Sequence, residues 1–358
     1  MKNLLKILVI VAIVLVVFIY LDNPVQENEL LKGSNNAGQI IPEEVSKMVE
    51  SDSIFTRPKT GSSTLIGQPS SEAIEMLGKP TRIEPSMYGY EWWVYNSSFS
   101  TYQLVGVSEG IVTQVFAFGT GTNVTPYEIG QSIEDIYRFT IIQSEITISI
   151  DSNTYTFSLN EEDINKRILV QFEDLFAMLY IDVKDKQLEA VRFTDPKTLL
   201  LHKPYDIFYN GAMIDTTTPT SSLQVAVDRA NERQIVEISN VYRFKHGLSV
   251  LESDFVIQQI ARSHSEEMAK NNVVINDTFE VTKFSDKLNE SSVVFERAGG
   301  NTAAFYLDAG EAVNGWLNSK NHRDTLLGKW YSHIGVGVYG NYYTQNFIER
   351  PFQKEQKE

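Results

Sequence analysis

The residues able to do chemistry are few. The chain of 358 residues has five histidines and no cysteine. Thiol nucleophiles, thiolate zinc sites, disulfides and lipid attachment through Cys are therefore excluded. His264, His322 and His333 lie in the last third. His264 stands four residues after Ile260 and four before Met268, on or beside the apolar stripe of a helix. The stronger reading there is a partly buried imidazole that hydrogen-bonds and holds the fold. His322 follows the polar elbow Asn318-Ser319-Lys320-Asn321 and directly precedes Arg323, so it has room to face a cleft. As a general base it needs a carboxylate to orient or assist it, and Glu311 lies eleven residues upstream. His333 points either toward His322 or to solvent. Two histidines at this spacing do not fix a metal without further ligands. Asp277, Glu280, Glu296 and Glu311 are candidates for a further ligand only because they lie in the same domain.

No His-Glu-x-x-His, phosphate loop or Gly-x-Ser-x-Gly elbow occurs. Gly335-Val336-Gly337-Val338-Tyr339-Gly340 alternates like a strand and leads into another strand, so it fails as a dinucleotide loop. Its glycines fit a close approach by an aromatic ring or a neighbouring backbone. The neighbours Ser265/His264 and Ser319/His322 lack a third partner and establish no triad. Neither a metal nor another cofactor is expected.

The elements that must position these residues form one domain, 222–350. A long amphipathic helix runs from Ser222 to Gly247 and a second from about Asp254 to Asn271. Residues 273–307 read as loops and short strands. A short helix carrying Val313 and Trp316, the polar elbow and another short helix follow. Two alternating runs, Ile334–Tyr339 and Tyr342–Phe347, then make a hairpin across Gly340-Asn341. Upstream, 63–195 reads as an α+β domain with antiparallel sheet. Strands are expected at 90–96, 101–107, 110–118, 145–150, 153–159, 167–172 and 188–193. Ile66-Gly67-Gln68 and Ile129-Gly130-Gln131 each lead into a short helical pattern, which suggests two repeated units. Tyr88, Tyr90, Trp92, Trp93 and Tyr95 suit sheet packing better than sugar stacking. Residues 196–221 read as a connector, with His202 an ordinary surface or linker residue.

A formal charge of −15 and a pI near 4.9 argue against nucleic acid as a partner. Lys2 and Lys6 precede an apolar run, Ile7–Leu21, with no small-residue cleavage site after it. Residues 1–21 are thus expected to be a single-pass anchor in the cytoplasmic membrane with the remainder outside. The competing reading is a signal segment and a secreted protein. Residues 22–62 read as an extracellular solvated spacer, and 351–358 as a polar tail.

The segments VEISNVYRFKHGLSVLESDFVIQQIARSHSEEMAKNN and GEAVNGWLNSKNHRDTLLGKWYSHIGVGVYGNYYTQNF give residues 225–348 a resemblance to the bacterial CAP superfamily of SCP-like extracellular domains. Leu77-Gly78-Lys79-Pro80, Trp93-Val94-Tyr95-Asn96 and Gly106-Val107 resemble the CAP-associated domain that precedes this module in membrane-linked Gram-positive proteins. The resemblance implies a C-terminal α-β-α sandwich with a shallow cleft, which in many members holds two histidines and two acids. Here His322 matches the later histidine. Asn276 stands at the earlier histidine's position, and Gly300, beside Asn301, replaces an acid. The cleft is expected to include His322, Asn276, Gly300, Asn301, His264 and His333, and to bind no metal.

These readings favour a membrane-tethered extracellular binding or interaction module over an enzyme. Its ligand is left open among envelope glycan, lipid and protein, and so is its oligomeric state. The alternative is a metal-independent hydrolase, a peptidase or envelope-remodelling enzyme, with His322 as general base.

Overall fold

The computed structural model describes Lys6 and residues 25–34, 38–40, 55–274 and 282–351. The run before Leu21, together with Asn276, Asp277 and Glu280, lies outside these residues. Among the described residues no helix is long and apolar enough to cross a membrane.

Three short strands come first: β1 (Val25–Glu27), β2 (Leu31–Lys32) and β3 (Gln39–Ile40). The next domain opens with α1 (Ser70–Leu77), then β4 (Arg82–Pro85), β5 (Glu91–Tyr95), β6 (Gln103–Ser108) and β7 (Ile111–Ala117). Its second half has α2 (Ile133–Phe139), β8 (Glu145–Ile150), β9 (Asn153–Ser158), α3 (Glu161–Lys166), β10 (Arg167–Gln171), β11 (Phe176–Asp182) and β12 (Gln187–Thr194). Side-chain caps start α2 and α3: Ser132 accepts from the Asp135 amide, and Asn160 and Asp163 form a reciprocal capping box. Strands β4–β7 and β10–β12 join in one antiparallel sheet, ordered β10-β11-β12-β7-β6-β5-β4. The two Ile-Gly-Gln sites make matching contacts. Gly67 N–H donates to Val112 O and Gly130 N–H to Leu188 O, both at 2.8 Å. Tyr90, Trp92 and Tyr95 are buried, so the aromatic cluster packs the sheet.

The expected connector holds α4 (Pro196–His202) and β13 (Asp206–Asn210). Asp195 caps α4, and Pro196 occupies a first-turn position where its missing N–H costs nothing. His202 is not a surface residue: it is buried against the Tyr88 ring and 3.2 Å from Tyr90 Oη. β13 joins β8, β9 and β3 in a second sheet.

The C-terminal domain has α5 (Ser221–Lys245), β14 (Glu252–Ser253), α6 (Phe255–Lys270), α7 (Phe284–Glu290), β15 (Arg297–Ala304), α8 (Ala309–Leu317), α9 (Lys320–Leu326), β16 (His333–Tyr339) and β17 (Tyr342–Glu349). This is an α-β-α sandwich. The sheet is ordered β1-β15-β17-β16-β14, with α5, α8 and α9 on one face and α6 and α7 on the other. Ile334, Val336 and Val338 point into the α5 side, and Ile348 into the α6 side, as strand alternation requires. A Cβ on Gly337 would lie 2.0 Å from the Arg262 backbone nitrogen, so the strand glycines admit the backbone of α6. The reading of 273–307 as loops and short strands missed α7 and underrated β15, whose eight residues RAGGNTAA have little strand propensity.

The two domains share one apolar core. Phe116, Phe118 and Tyr180 cluster with Tyr242, Val313 and Trp316. Around this core Arg82 is bidentate to Glu237 (2.8 and 2.9 Å), and Arg192 pairs with Asp308 at 2.7 Å with its side chain fully buried.

Candidate functional site

The C-terminal sheet would end at β15, leaving a row of unpaired backbone groups. Residues 25–34 cover that edge. β1 pairs parallel with β15 from Val25↔Ala298 to Glu27↔Gly300, and β2 resumes the pairing at Leu31↔Ala303 and Lys32↔Ala304. Between them Asn28, Glu29 and Leu30 arch away from the ladder. The stretch expected to be a solvated spacer is therefore, over these residues, a strap laid along the domain. Its short polar sequence lacks the alternation of a half-buried strand, because much of its hold comes from backbone pairing.

His322 is placed by Ser319, the residue before the first turn of α9, and is 5 % exposed. Its Nδ1 lies 2.8 Å from Ser319 Oγ, and its Nε2 lies 2.8 Å from the carbonyl oxygen of Glu29 in the strap. A carbonyl only accepts, so Nε2 carries the proton and Nδ1 accepts from the serine hydroxyl. Burial lowers the pKa of this imidazole below its ordinary value, which favours the neutral form. With Nε2–H donated to the strap, the proton that Nδ1 is placed to accept is that of the Ser319 hydroxyl.

Among the described residues the groups hydrogen-bonded beside it are amides and hydroxyls, and the Glu29 carboxylate lies close enough to oppose the effect of burial on the ring. The Asn28 side-chain amide lies 2.7 Å from Asn301 Oδ1, 2.8 Å from Thr325 Oγ1 and 3.2 Å from the Asn321 carbonyl. Asn301 in turn donates to the His322 carbonyl at 3.0 Å. Among the described residues none of these hydrogen-bond partners is a carboxylate or an imidazole.

His264 belongs to the other side of the strap. It lines a cavity of about 500 Å³ with Phe284, Gly300, Thr302, Thr344 and Asn346, roofed by Glu27–Leu30. Burial pushes its pKa down to about 4, with the Lys287 ammonium adding to the effect. Gly300 contributes its carbonyl, which accepts from the Asn28 backbone N–H at 3.1 Å. His333 lies at the start of β16, opposite Ile348. It is bonded to Ser332 Oγ at 2.8 Å and is 3.8 Å from Glu252, without a described contact to His322. The residues named from sequence thus divide into His322 and Asn301 on one side of the strap, His264 and Gly300 on the other, and His333 elsewhere. Asn276 lies outside the described residues.

Glu311 does not assist His322. Its oxygens accept from Arg167 (2.8 Å) and Tyr180 Oη (2.7 Å), which tie α8 to the N-terminal domain. Arg323, adjacent to His322 in sequence, also turns to that domain and pairs with Asp182 and Asp185, each at 2.6 Å. Asp182, Asp185 and His246 are the metal-ligand-type cluster found among the described residues. The Arg323 guanidinium bonds both of these carboxylates, so the cluster is an ion-pair network. Sequence reasoning missed Asn28, Glu29 and Thr325 because their role exists only once the strap is docked.

Residues 66–205 match the model of the CAP-associated N-terminal domain, and residues 236–349 match that of the cysteine-rich secretory protein family. An uncharacterized membrane protein of Bacillus subtilis, YlbC, is 34% identical over 350 residues, 98% of this chain and 100% of that one. A solved extracellular protein with an SCP domain from Bacillus anthracis is 35% identical, with a TM-score of 0.77 over 85% of this chain and 100% of that one. A cysteine-rich secretory protein from Staphylococcus aureus shares the fold at 24% identity, with a TM-score of 0.75 over 90% of this chain and 98% of that one.

Proposed function

We propose, for a chain that belongs to the bacterial CAP (cysteine-rich secretory protein) family and carries its associated N-terminal domain, that it is a binding module outside the membrane. In this reading residues 1–21 tether it, and the cleft beside His322 holds its ligand. The B. subtilis relative, described as a membrane protein, and the B. anthracis relative, described as extracellular, support that location.

The observation that carries the reading is the placement of His322 between the Ser319 hydroxyl and the strap carbonyl, which assigns the ring proton to Nε2. Ser319 saturates Nδ1, and Nε2–H is aimed at an amide carbonyl. In this reading a ligand takes the place that the Glu29 carbonyl and the Asn28 amide now occupy, accepts the hydrogen bond of His322 and meets Asn301 and Thr325 beside it. The ligand therefore carries an acceptor of the amide-carbonyl type, present in polypeptide and in N-acetylated envelope glycan. Hydrolysis draws no support from Glu311, whose carboxylate is engaged by Arg167 and Tyr180.

The test is capture of solubilised envelope material by the full chain, wild type against His322→Ala, with near-ultraviolet circular dichroism as the folding control. Loss of capture by a folded variant is expected. Undiminished capture would place the binding site elsewhere.

A further inference from the structure

We infer that the edge of β15 beside His322 is a strand-addition site for an extended polypeptide segment of a partner protein, and that residues 25–34 are its resident, displaceable occupant. The inference deepens the binding-module reading and rests on it.

The first ground is the way the strap is held. An edge strand that merely protects a sheet has no need to leave the ladder where the polar groups are. This one pairs over Val25–Glu27, arches over three residues, and pairs again over Leu31–Lys32. The arch presents the Glu29 carbonyl to His322 and the Asn28 amide to Asn301 and Thr325. Backbone pairing supplies sequence-independent hold, and a side-chain amide at the position of Asn28 supplies selection, as in other strand-addition sites.

The second ground is that the hold is local. In β1 and β2 Gln26, Glu27 and Lys32 are exposed and Val25 and Leu31 half-buried, and among the described residues the side-chain bonds of the two strands to the domain are single ones, Lys32 Nζ to Val274 O at 3.2 Å and the Ser285 N–H to Glu27 Oε1 at 3.4 Å. Glu27–Leu30 of the strap line a pocket of about 500 Å³ with His264, Phe284 and Asn346. The third is the fit at the strap's far end. The Gly33 amide donates to Ala304 O at 2.8 Å, and a Cβ on Gly33 would lie 2.5 Å from the Phe305 carbonyl oxygen. A Cβ there meets backbone rather than a flexible side chain, so Gly33→Ala loosens the strap from a position outside the hydrogen bonds of His322, Asn301 and Thr325. Asn28→Ala weakens it independently, by removing the amide.

An intramolecular occupant lowers the apparent affinity of a competing peptide in proportion to the fraction of molecules whose site it fills. The experiment uses the full chain in detergent micelles and a fluorescent synthetic peptide with the sequence Val25–Gly33, read by anisotropy. Gly33→Ala and Asn28→Ala are each expected to bind the peptide about tenfold more tightly than wild type. A peptide with alanine at the position of Asn28 is expected to bind the Gly33→Ala chain several-fold more weakly. Equal binding by wild type and both variants, or none by any, would overturn the inference. So would a concentration-dependent dimer of the Gly33→Ala chain, which assigns the edge to a second copy's strap. Peptide binding that fails while His322-dependent envelope capture persists removes only this inference. Capture that ignores His322 removes the binding-module reading beneath it.

Discussion

At the scale of single residues, the chemistry of the cleft follows from which nitrogen of His322 holds the proton. Ser319 is the controlling neighbour, since its hydroxyl satisfies Nδ1 at 2.8 Å. Ser319→Ala frees that nitrogen and lets the other tautomer form, so ligand capture is expected to weaken about 3- to 10-fold, the effect of one neutral hydrogen bond. A titration of captured material against the Ser319→Ala chain checks it. His264 gives a separate prediction in pH. Its ordinary pKa of 6.5 falls to about 4 in the folded protein, because burial disfavours the charged ring. Between these values the unfolded chain binds more protons, so the native state loses stability as pH falls. This one group is expected to cost roughly 1–2 kcal/mol on going from about pH 7.5 to about pH 5. Urea unfolding of wild type and His264→Gln at the two pH values checks it; the variant should show a smaller loss. His322 and Arg323 were legible in sequence as a pair at a helix start. That they point to different partners, one to the strap and one to Asp182 and Asp185, was not. Only docking of the strap and of the N-terminal domain separates them.

At the scale of elements, legibility tracked local pattern. The hairpin of β16 and β17 declared itself by alternation and by Gly340, whose φ is +58°. The two long helices declared themselves by apolar spacing, and Asp254 caps the second by accepting from the Ile257 amide at 3.0 Å. β15 and the strap did not. Their pairing is non-local, 273 residues separating Val25 from Ala298, and each sequence holds few residues that favour a strand. β11 was missed for the opposite reason: Phe176–Asp182 is buried on both faces, so it shows no alternation. The close packing of α6 on β16 yields a prediction at this scale. Gly337→Ala must push apart two backbones 2.0 Å from the new Cβ, and is expected to destabilise by about 3 kcal/mol or more. Gly340→Ala meets nothing within 4 Å and carries only the strain of its positive φ, about 1 kcal/mol. Thermal denaturation of the two variants side by side separates packing from strain.

For the whole molecule, the shared core and the buried ion pairs make two sequence-defined domains into one unit. Removing one partner of a buried pair strands the other charge in low dielectric. Asp308 both caps α8 and pairs with the fully buried Arg192, so Asp308→Ala is expected to cost about 3–5 kcal/mol. Because Phe116 and Tyr180 lie in the same cluster as Trp316, wild type is expected to unfold in one transition by both fluorescence and circular dichroism. Two resolved transitions would show that the interface is weaker than its contacts imply. The anionic surface, the family and the α-β-α architecture were all readable from the chain. The strap was not, since a polar segment becomes a strand only where another domain offers an unpaired edge.

The central claim is that His322 is a neutral donor held on the strap's carbonyl, and the ¹⁵N spectrum of the imidazole rings tests it most directly. With five histidines in the chain, His322 can be assigned by the resonances that vanish in His322→Ala. A ring held on the Glu29 carbonyl is expected to show one neutral form protonated at Nε2, with an ionisation below the ordinary 6.5, and to lose that fixed tautomer in Gly33→Ala. A ring protonated at Nδ1, or a mixture unchanged when the strap is lifted, would contradict it.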